Sequence, residues 1–84
     1  MKYKVYWEQT AVDRLAELFA VRPRDAQRLV VVVRTFGRDG VGDTKKIQGR
    51  SDAWRLRSGD WRVFLAFEDD EIYIADIENR RDAY

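Results

Sequence analysis

Apolar and polar positions along the chain change period several times, and each change marks an element. Tyr3, Val5 and Trp7 alternate with Lys2, Lys4 and Tyr6. This period of two, in aromatic and β-branched residues, predicts a strand over Lys2–Trp7. The spacing then becomes helical. Thr10 followed by Asp13 resembles a capping box with Asp in place of Glu, and a helix is predicted to run on to about Val21. Val12, Leu15, Ala16 and Phe19 form its expected buried stripe, leaving Asp13, Arg14 and Glu17 for water. Arg22-Pro23 ends that helix, because proline disfavours a helical residue before it. Proline also suits the first turn of a new helix, predicted over Arg24–Phe36. Ala26, Leu29, Val30, Val33 and Phe36 are its expected buried stripe. Four consecutive valines, Val30–Val33, also fit a strand, but the polar spacing of Arg24, Asp25, Gln27, Arg28 and Arg34 favours helix. Two such helices joined at a proline make a helical hairpin.

Gly37–Asp43 reads as a loop, with three glycines in seven residues. It is no phosphate-cradling motif, which needs a preceding strand and a following Gly-Lys-Ser/Thr. Lys45-Lys46-Ile47-Gln48-Gly49 then leads to Trp54–Phe67, which reads as two strands joined at Ser58-Gly59-Asp60. A two-residue loop of Ser58-Gly59 sets Arg55 opposite Arg62, and one of Gly59-Asp60 sets Arg57 opposite Arg62. Either register puts Arg55, Arg57 and Arg62 on one face and Trp54, Leu56, Trp61, Val63 and Leu65 on the other, since a one-residue slip swaps faces. Three arginines so close repel one another, so the hairpin implies an anionic counterpart. Glu68-Asp69-Asp70-Glu71 is a charged turn. Ile72–Ile77 is a last strand, with Ile72 and Ile74 expected on the face opposite Tyr73, Ala75 and Ile77.

The resulting order is β-α-α-β-β-β, an α+β fold with an N-terminal strand and a helical hairpin packed on an antiparallel sheet. Eighty-four residues and 45% hydrophobic content fit one small domain, residues 1–84, with one core. No apolar run approaches a membrane span, and MKYKVYWEQT lacks the features of a signal peptide, so the cytoplasm is the default compartment. The chain has no cysteine and no histidine. That excludes disulfides and thiolate nucleophiles, and removes the usual neutral-pH base and zinc ligand. No cofactor or metal is expected. Net charge is only +1, but it is unevenly placed. Thr44–Phe67 carries six basic residues against two acids, and Glu68–Tyr84 carries seven acids against Arg80 and Arg81. The basic block points to a polyanionic partner. Trp7, Trp54 and Trp61 are expected in packing, with Tyr6 and Tyr73 the better surface aromatics.

Several short patterns accumulate in order. Ala11 and Leu15 stand at helical spacing after the first strand. Lys46-Ile47-Gln48-Gly49 precedes the hairpin. Trp54-Arg55-Leu56-Arg57 is an aromatic-basic-aliphatic-basic strand, Gly59-Asp60-Trp61-Arg62-Val63 follows it, and Asn79-Arg80-Arg81-Asp82-Ala83-Tyr84 closes the chain. Across nearly the whole length this resembles the RelE/ParE superfamily of toxins from bacterial and archaeal toxin–antitoxin pairs, closer to the RelE-type mRNA interferases. The resemblance implies a ribosome-dependent endoribonuclease. Its 2′-hydroxyl chemistry leaves a 2′,3′-cyclic phosphate, and a cognate antitoxin protein neutralises it. Its partners would be the antitoxin, the ribosome and mRNA, with no membrane. Matched position by position, it assigns catalytic roles to Arg55, Arg57, Arg62, Arg80 and Tyr84, and RNA contacts to Lys45, Lys46, Arg50 and Arg81.

Arginine is well matched to a phosphoryl-transfer state because it is permanently charged and bidentate. It cannot act as a general base, since it stays protonated. The resemblance places lysines where this chain has Arg55 and Arg57, so the base is unassigned, with the tail from Glu78 to Tyr84, the pair Lys45-Lys46, and the ribosome or RNA as candidate sources. Two alternatives accompany the nuclease reading. One is a ParE-type toxin that inhibits DNA gyrase by binding. The other is an inactive or purely antitoxin-binding member whose arginines are paired with acids of this chain or of a partner.

Overall fold

The computed structural model describes residues 2–49 and 53–79. Strand β1 (Lys4–Trp7) leads into helices α1 (Gln9–Val21) and α2 (Pro23–Asp39). Strands β2 (Thr44–Lys46), β3 (Ala53–Ser58), β4 (Trp61–Glu68) and β5 (Glu71–Asn79) follow. The five strands form one sheet in the order β1-β5-β4-β3-β2. The fold is the expected α+β arrangement, with two refinements. Thr44–Lys46 forms a short edge strand antiparallel to β3. The sheet is mixed, because β1 runs parallel to β5 at the other edge.

One face of the sheet carries the helical hairpin, with α1 over β5 and α2 reaching β3. Between them lies a core of Leu18, Leu29, Val33, Phe36, Leu56, Val63, Leu65, Ile72, Ile74 and Ile77, with Ala11 and Ala26 where the backbones come closest. Tyr3, Phe36, Phe67 and Trp54 extend it as a chain of ring contacts with centroids 5.4–6.1 Å apart, a separation typical of favourable aromatic pairs.

The hairpin takes the Gly59-Asp60 loop. Arg57 pairs with Arg62 and Ser58 with Trp61, and Gly59 supplies the left-handed turn residue at φ 60°. Its alternation is as expected, with the arginines on one face and Leu56, Val63 and Leu65 buried on the other.

The last strand corrects the sequence expectation. Ile77 lies on the same side as Ile72 and Ile74, not opposite them, and all three are buried. The cause is a register shift between Phe64 and Leu65. Val63 pairs with Ile77 and Leu65 with Ile74, so Ala75 and Asp76 together face Phe64 alone. This is a β-bulge, which inserts one residue and reverses parity beyond it. The Asp76 carboxylate accepts a hydrogen bond from the Ile77 amide at 2.8 Å and pairs with Arg14 of α1 at 3.4 Å. The bulge is thereby capped and tied to the helix above it.

Helix α1 also departs from expectation. Thr10 is inside the helix and Glu8 is the N-cap, so there is no capping box. Gln9 donates instead to Asp13 at 2.8 Å. The stripe turned to the core is Ala11, Leu15 and Leu18, with Leu15 half-buried; of the expected Val12, Leu15, Ala16 and Phe19 only Leu15 faces the core, and the other three are exposed. Helix α2 buries Ala26, Leu29, Val33 and Phe36 as expected, with Val30 half-buried. It continues through Gly37-Arg38-Asp39, which the sequence reading placed in a loop. Gly40, at φ 70°, ends it by donating its amide to the Phe36 carbonyl at 2.8 Å.

Gly37 is buried where α2 crosses β1. A Cβ there would lie 2.6 Å from Val5 Cγ2, and the Gly37 carbonyl accepts the Tyr3 amide at 2.8 Å. Gly37→Ala gains helix propensity of about 1 kcal/mol but overpacks this contact at a cost of about 1–3 kcal/mol. Urea unfolding is expected to show net destabilisation, and the loss should shrink when Gly37→Ala is made in a Val5→Ala background.

Candidate functional site

The face of the sheet away from the helices is built from the opposite half of each strand's alternation. Its β2–β3–β4 end carries Lys45 paired with Arg55, Arg57 paired with Arg62, and Phe64 paired with Arg55. Asp43, Lys45, Arg55, Arg57, Gly59, Asp60 and Arg62 line a cleft of about 260 Å³ there. Like charges directly opposite one another destabilise a sheet by roughly 0.2–1 kcal/mol a pair. The strands nevertheless place two such pairs side by side.

Compensation within the chain is partial. Glu78 of β5 stands opposite Arg62, and the bulge is what puts it there; unbroken alternation would turn Glu78 to the helix side. Asp43 and Asp60 stand at the cleft's rim. The Arg57 Nε donates to the Gly59 carbonyl at 3.1 Å, folding its side chain back over the turn. Neither Arg55 nor Arg57 forms an ion pair with a described residue. The inactive alternative pairs the arginines with acids of this chain or of a partner, and among the described residues this chain supplies no such pair to Arg55 or Arg57.

The other end of the open face is different. Tyr6 of β1 stacks on Tyr73 of β5, with centroids 5.4 Å apart, beside Glu68 and Glu71 at the acidic turn. The Tyr73 hydroxyl donates to Glu71 at 3.2 Å. Partial burial raises the Tyr73 phenol above its ordinary pKa, and Glu71, Glu68 and Tyr6 raise it further. The open face thus runs from a basic cleft to an aromatic and acidic end.

Of the sequence-predicted site residues, the structure brings Lys45, Arg55, Arg57 and Arg62 to one cleft. Lys46 pairs with Trp54 and therefore occupies the helix side of the sheet. Arg50, Arg80, Arg81 and Tyr84 lie outside the described residues. Sequence reasoning passed over Phe64, whose parity with Arg62 places an aromatic ring on the arginine face. It also passed over Asp43 and Asp60, for which only the folded rim gives a signal. No group of three or more potential metal ligands is found among the described residues, and no described helix is long and apolar enough to cross a membrane.

No protein-family model matches the chain, and no curated protein sequence matches it. Solved structures do. A chain of the archaeal RelE–RelB complex from Pyrococcus horikoshii superposes with a TM-score of 0.76 at 24% identity, covering 95% of this chain and 97% of that one. The RelBE2 toxin–antitoxin complex of Mycobacterium tuberculosis gives 0.77 at 20% identity, covering 95% and 100%. The Escherichia coli DinJ–YafQ toxin–antitoxin complex gives 0.76 at 10% identity, covering 100% and 99%. At these identities the likeness establishes the fold, which is RelE-like over essentially the whole chain.

The raised Tyr73 phenol makes stability depend on alkaline pH. An unfolded tyrosine ionises near pH 10, while the folded chain still holds this proton. Stability from this group is therefore complete below about pH 10 and falls as pH rises through the folded pKa. Urea unfolding between pH 9 and 11.5 should show that decline, and Tyr73→Phe should make it shallower.

Proposed function

We propose that this chain is the toxin of a type II toxin–antitoxin pair, acting in the cytoplasm as a ribosome-dependent mRNA endoribonuclease. The observation that carries the proposal is the cleft of Lys45, Arg55, Arg57 and Arg62 on the open face of a RelE-like fold, with Arg55 and Arg57 left without ion-pair partners among the described residues.

In the proposed reaction an RNA 2′-hydroxyl attacks its neighbouring phosphorus. The P–O5′ bond breaks, a 2′,3′-cyclic phosphate forms, and the 5′-oxygen leaves with a proton. Negative charge builds on the non-bridging oxygens as the five-coordinate state forms. Fixed guanidinium groups stabilise that charge most where they need no reorganisation, and strands hold side chains more rigidly than loops. Arg55 and Arg62 are on adjacent strands and both line the cleft, so each can donate a forked pair of hydrogen bonds to the same phosphate. Phe64, beside Arg55, offers a ring on which an unstacked base can lie. Lys45 contributes a mobile charge to the backbone.

Proton transfer needs a group other than arginine. Glu78, opposite Arg62, is the carboxylate that the register brings to this face. A toxin with a basic active surface also needs a neutralising protein, and the proposed partner is a cognate antitoxin that masks the cleft. No feature of the structure favours a gyrase-directed activity.

The test is a reconstituted translation reaction with purified protein, mapping mRNA ends on stalled ribosomes. Cleavage with 2′,3′-cyclic termini is expected. Arg62→Ala and Arg55→Ala should each lower the rate by roughly 10²-fold, the loss typical of removing one donor from a developing oxyanion, with unchanged circular dichroism. Intact messages in the presence of folded, antitoxin-free protein would refute the reading.

A further inference from the structure

Behind the β3–β4 hairpin tip, between the α1–α2 junction and the end of β5, a larger cleft of about 760 Å³ opens to the helix side. The open face of the sheet is broader, and its charges are sorted by sign. Its β2–β3–β4 end carries the like-charged pairs Lys45–Arg55 and Arg57–Arg62. The turn between β4 and β5 carries the reverse. There Glu68 pairs with Glu71, and Asp69 and Asp70 connect them. Lys4, in register with Glu71, offsets one of these four acids. Each end therefore holds like charges that repel across the ladder.

Between the two ends the face is apolar. Phe64 and Ala66 of β4 and Tyr73 of β5 are half-buried, and Tyr6 of β1 is 44% exposed and stacks on Tyr73. The core cluster under the helices includes none of the four, because alternation turns them to the other side. Register sets Ala66 beside Tyr73 and Phe64 beside Arg55. Five strands about 4.8 Å apart span roughly 19 Å, and the run from Arg62 to Glu68 covers roughly 20 Å in the other direction.

We infer that the open face takes a second copy of the chain, in a symmetric face-to-face dimer that covers the basic cleft of each copy. In a twofold contact one patch meets itself, so each pair of unlike residues occurs twice. Take a twofold axis in the plane of the contact, beside Ala66 and across the line joining the charged ends. It lays the basic end of each copy over the acidic end of the other. With this spacing and register, Phe64 meets Tyr73 of the second copy, and Arg55 and Arg57 meet its Glu68 and Glu71. Three features fit this occupant. The like-charged pairs at both ends gain opposite charges. An apolar, aromatic centre inside a charged rim is the anatomy of a protein interface. A patch of this size buries on the order of 1,000 Å² in total, at the low end of specific interfaces, which makes the dimer weak and reversible. A polyanion matches the basic end alone, since it would set its charges against Glu68–Glu71 if it crossed the whole face. The pairing follows from charge and parity and is independent of what the basic cleft binds.

The test is sedimentation velocity of the intact chain over a concentration series at low salt. The average mass should rise reversibly from that of one chain toward that of two. Salt at about 1 M, which cuts the screening length to about 3 Å, should return it to one. Arg55→Glu and Glu68→Arg each set like charges together across the contact, so each should weaken the dimer roughly tenfold or more. The double variant should restore it, because the reversed charges face one another again, and such a rescue cannot come from misfolding. Phe19→Ser, on the exposed side of α1, should leave the dimer as it is. A chain monomeric at its highest concentration overturns the proposal. So does a dimer indifferent to both charge reversals, a dimer broken by Phe19→Ser, or a double variant that is folded by circular dichroism yet stays monomeric. Cleaved mRNA from a chain that never dimerises removes the dimer and leaves the nuclease, and a dimer that leaves mRNA uncut does the reverse.

Discussion

The single extra residue in β5 is the constraint on which both faces of the sheet depend. This strand lies between β1 and β4, so its helix-side residues must join the core at both ends. Strict alternation cannot deliver that from this sequence, because Ile72 and Ile74 are out of phase with Ile77 by one position. The bulge at Ala75-Asp76 absorbs the mismatch and buries all three. A bulge frees a ladder amide, and an unpaired amide in a half-buried strand is costly. Asp76 answers it by accepting from Ile77, and the same carboxylate holds Arg14. One residue type thus reconciles the core with the ladder and fastens α1 above it.

The same shift composes the open face. Beyond the bulge, Glu78 turns toward Arg62 and Asn79 toward Trp61. The first places an acid at the basic cleft, and the second brings an amide to the larger cleft behind the hairpin. The hairpin tip then concentrates cost. Arg57 and Arg62 repel, Lys45 faces Arg55, and Ser58 keeps a buried hydroxyl without a partner among the described residues. A sheet selected only for stability would avoid each of these. Gathered within one turn of chain and flanking two clefts, they have the character of a binding surface whose strain is offset by the core behind it.

Much of this was legible in the sequence where a single pattern had one solution. Parity in the hairpin allowed only two loops, and both gave the same faces. The stripe of α2 was legible because it is bounded by charge on its other sides. Helix α1 was legible only at Leu15, because Ala11-Leu15-Leu18 and Val12-Ala16-Phe19 have the same spacing one position apart. Either can be a core face. Packing chose the stripe that begins with alanine, whose small side chain is fully buried. The helical state of Gly37-Arg38-Asp39 was hidden for a similar reason. Glycine usually signals a loop, yet here it is required by the approach of Val5 to the helix backbone.

Local chemistry by itself therefore determined the order of the two helices and four of the five strands, a turn within Ser58-Gly59-Asp60, the common face of Arg55, Arg57 and Arg62, and the lack of histidine or cysteine chemistry. These follow from period, charge and composition, which need no partner strand. Tertiary structure alone decided the parallel pairing of β1 with β5, the bulge that reverses parity before Ile77, the face that α1 buries, and the cleft behind the hairpin. Each of these depends on where a distant segment lies, and distance in space is not written in the spacing of neighbouring residues.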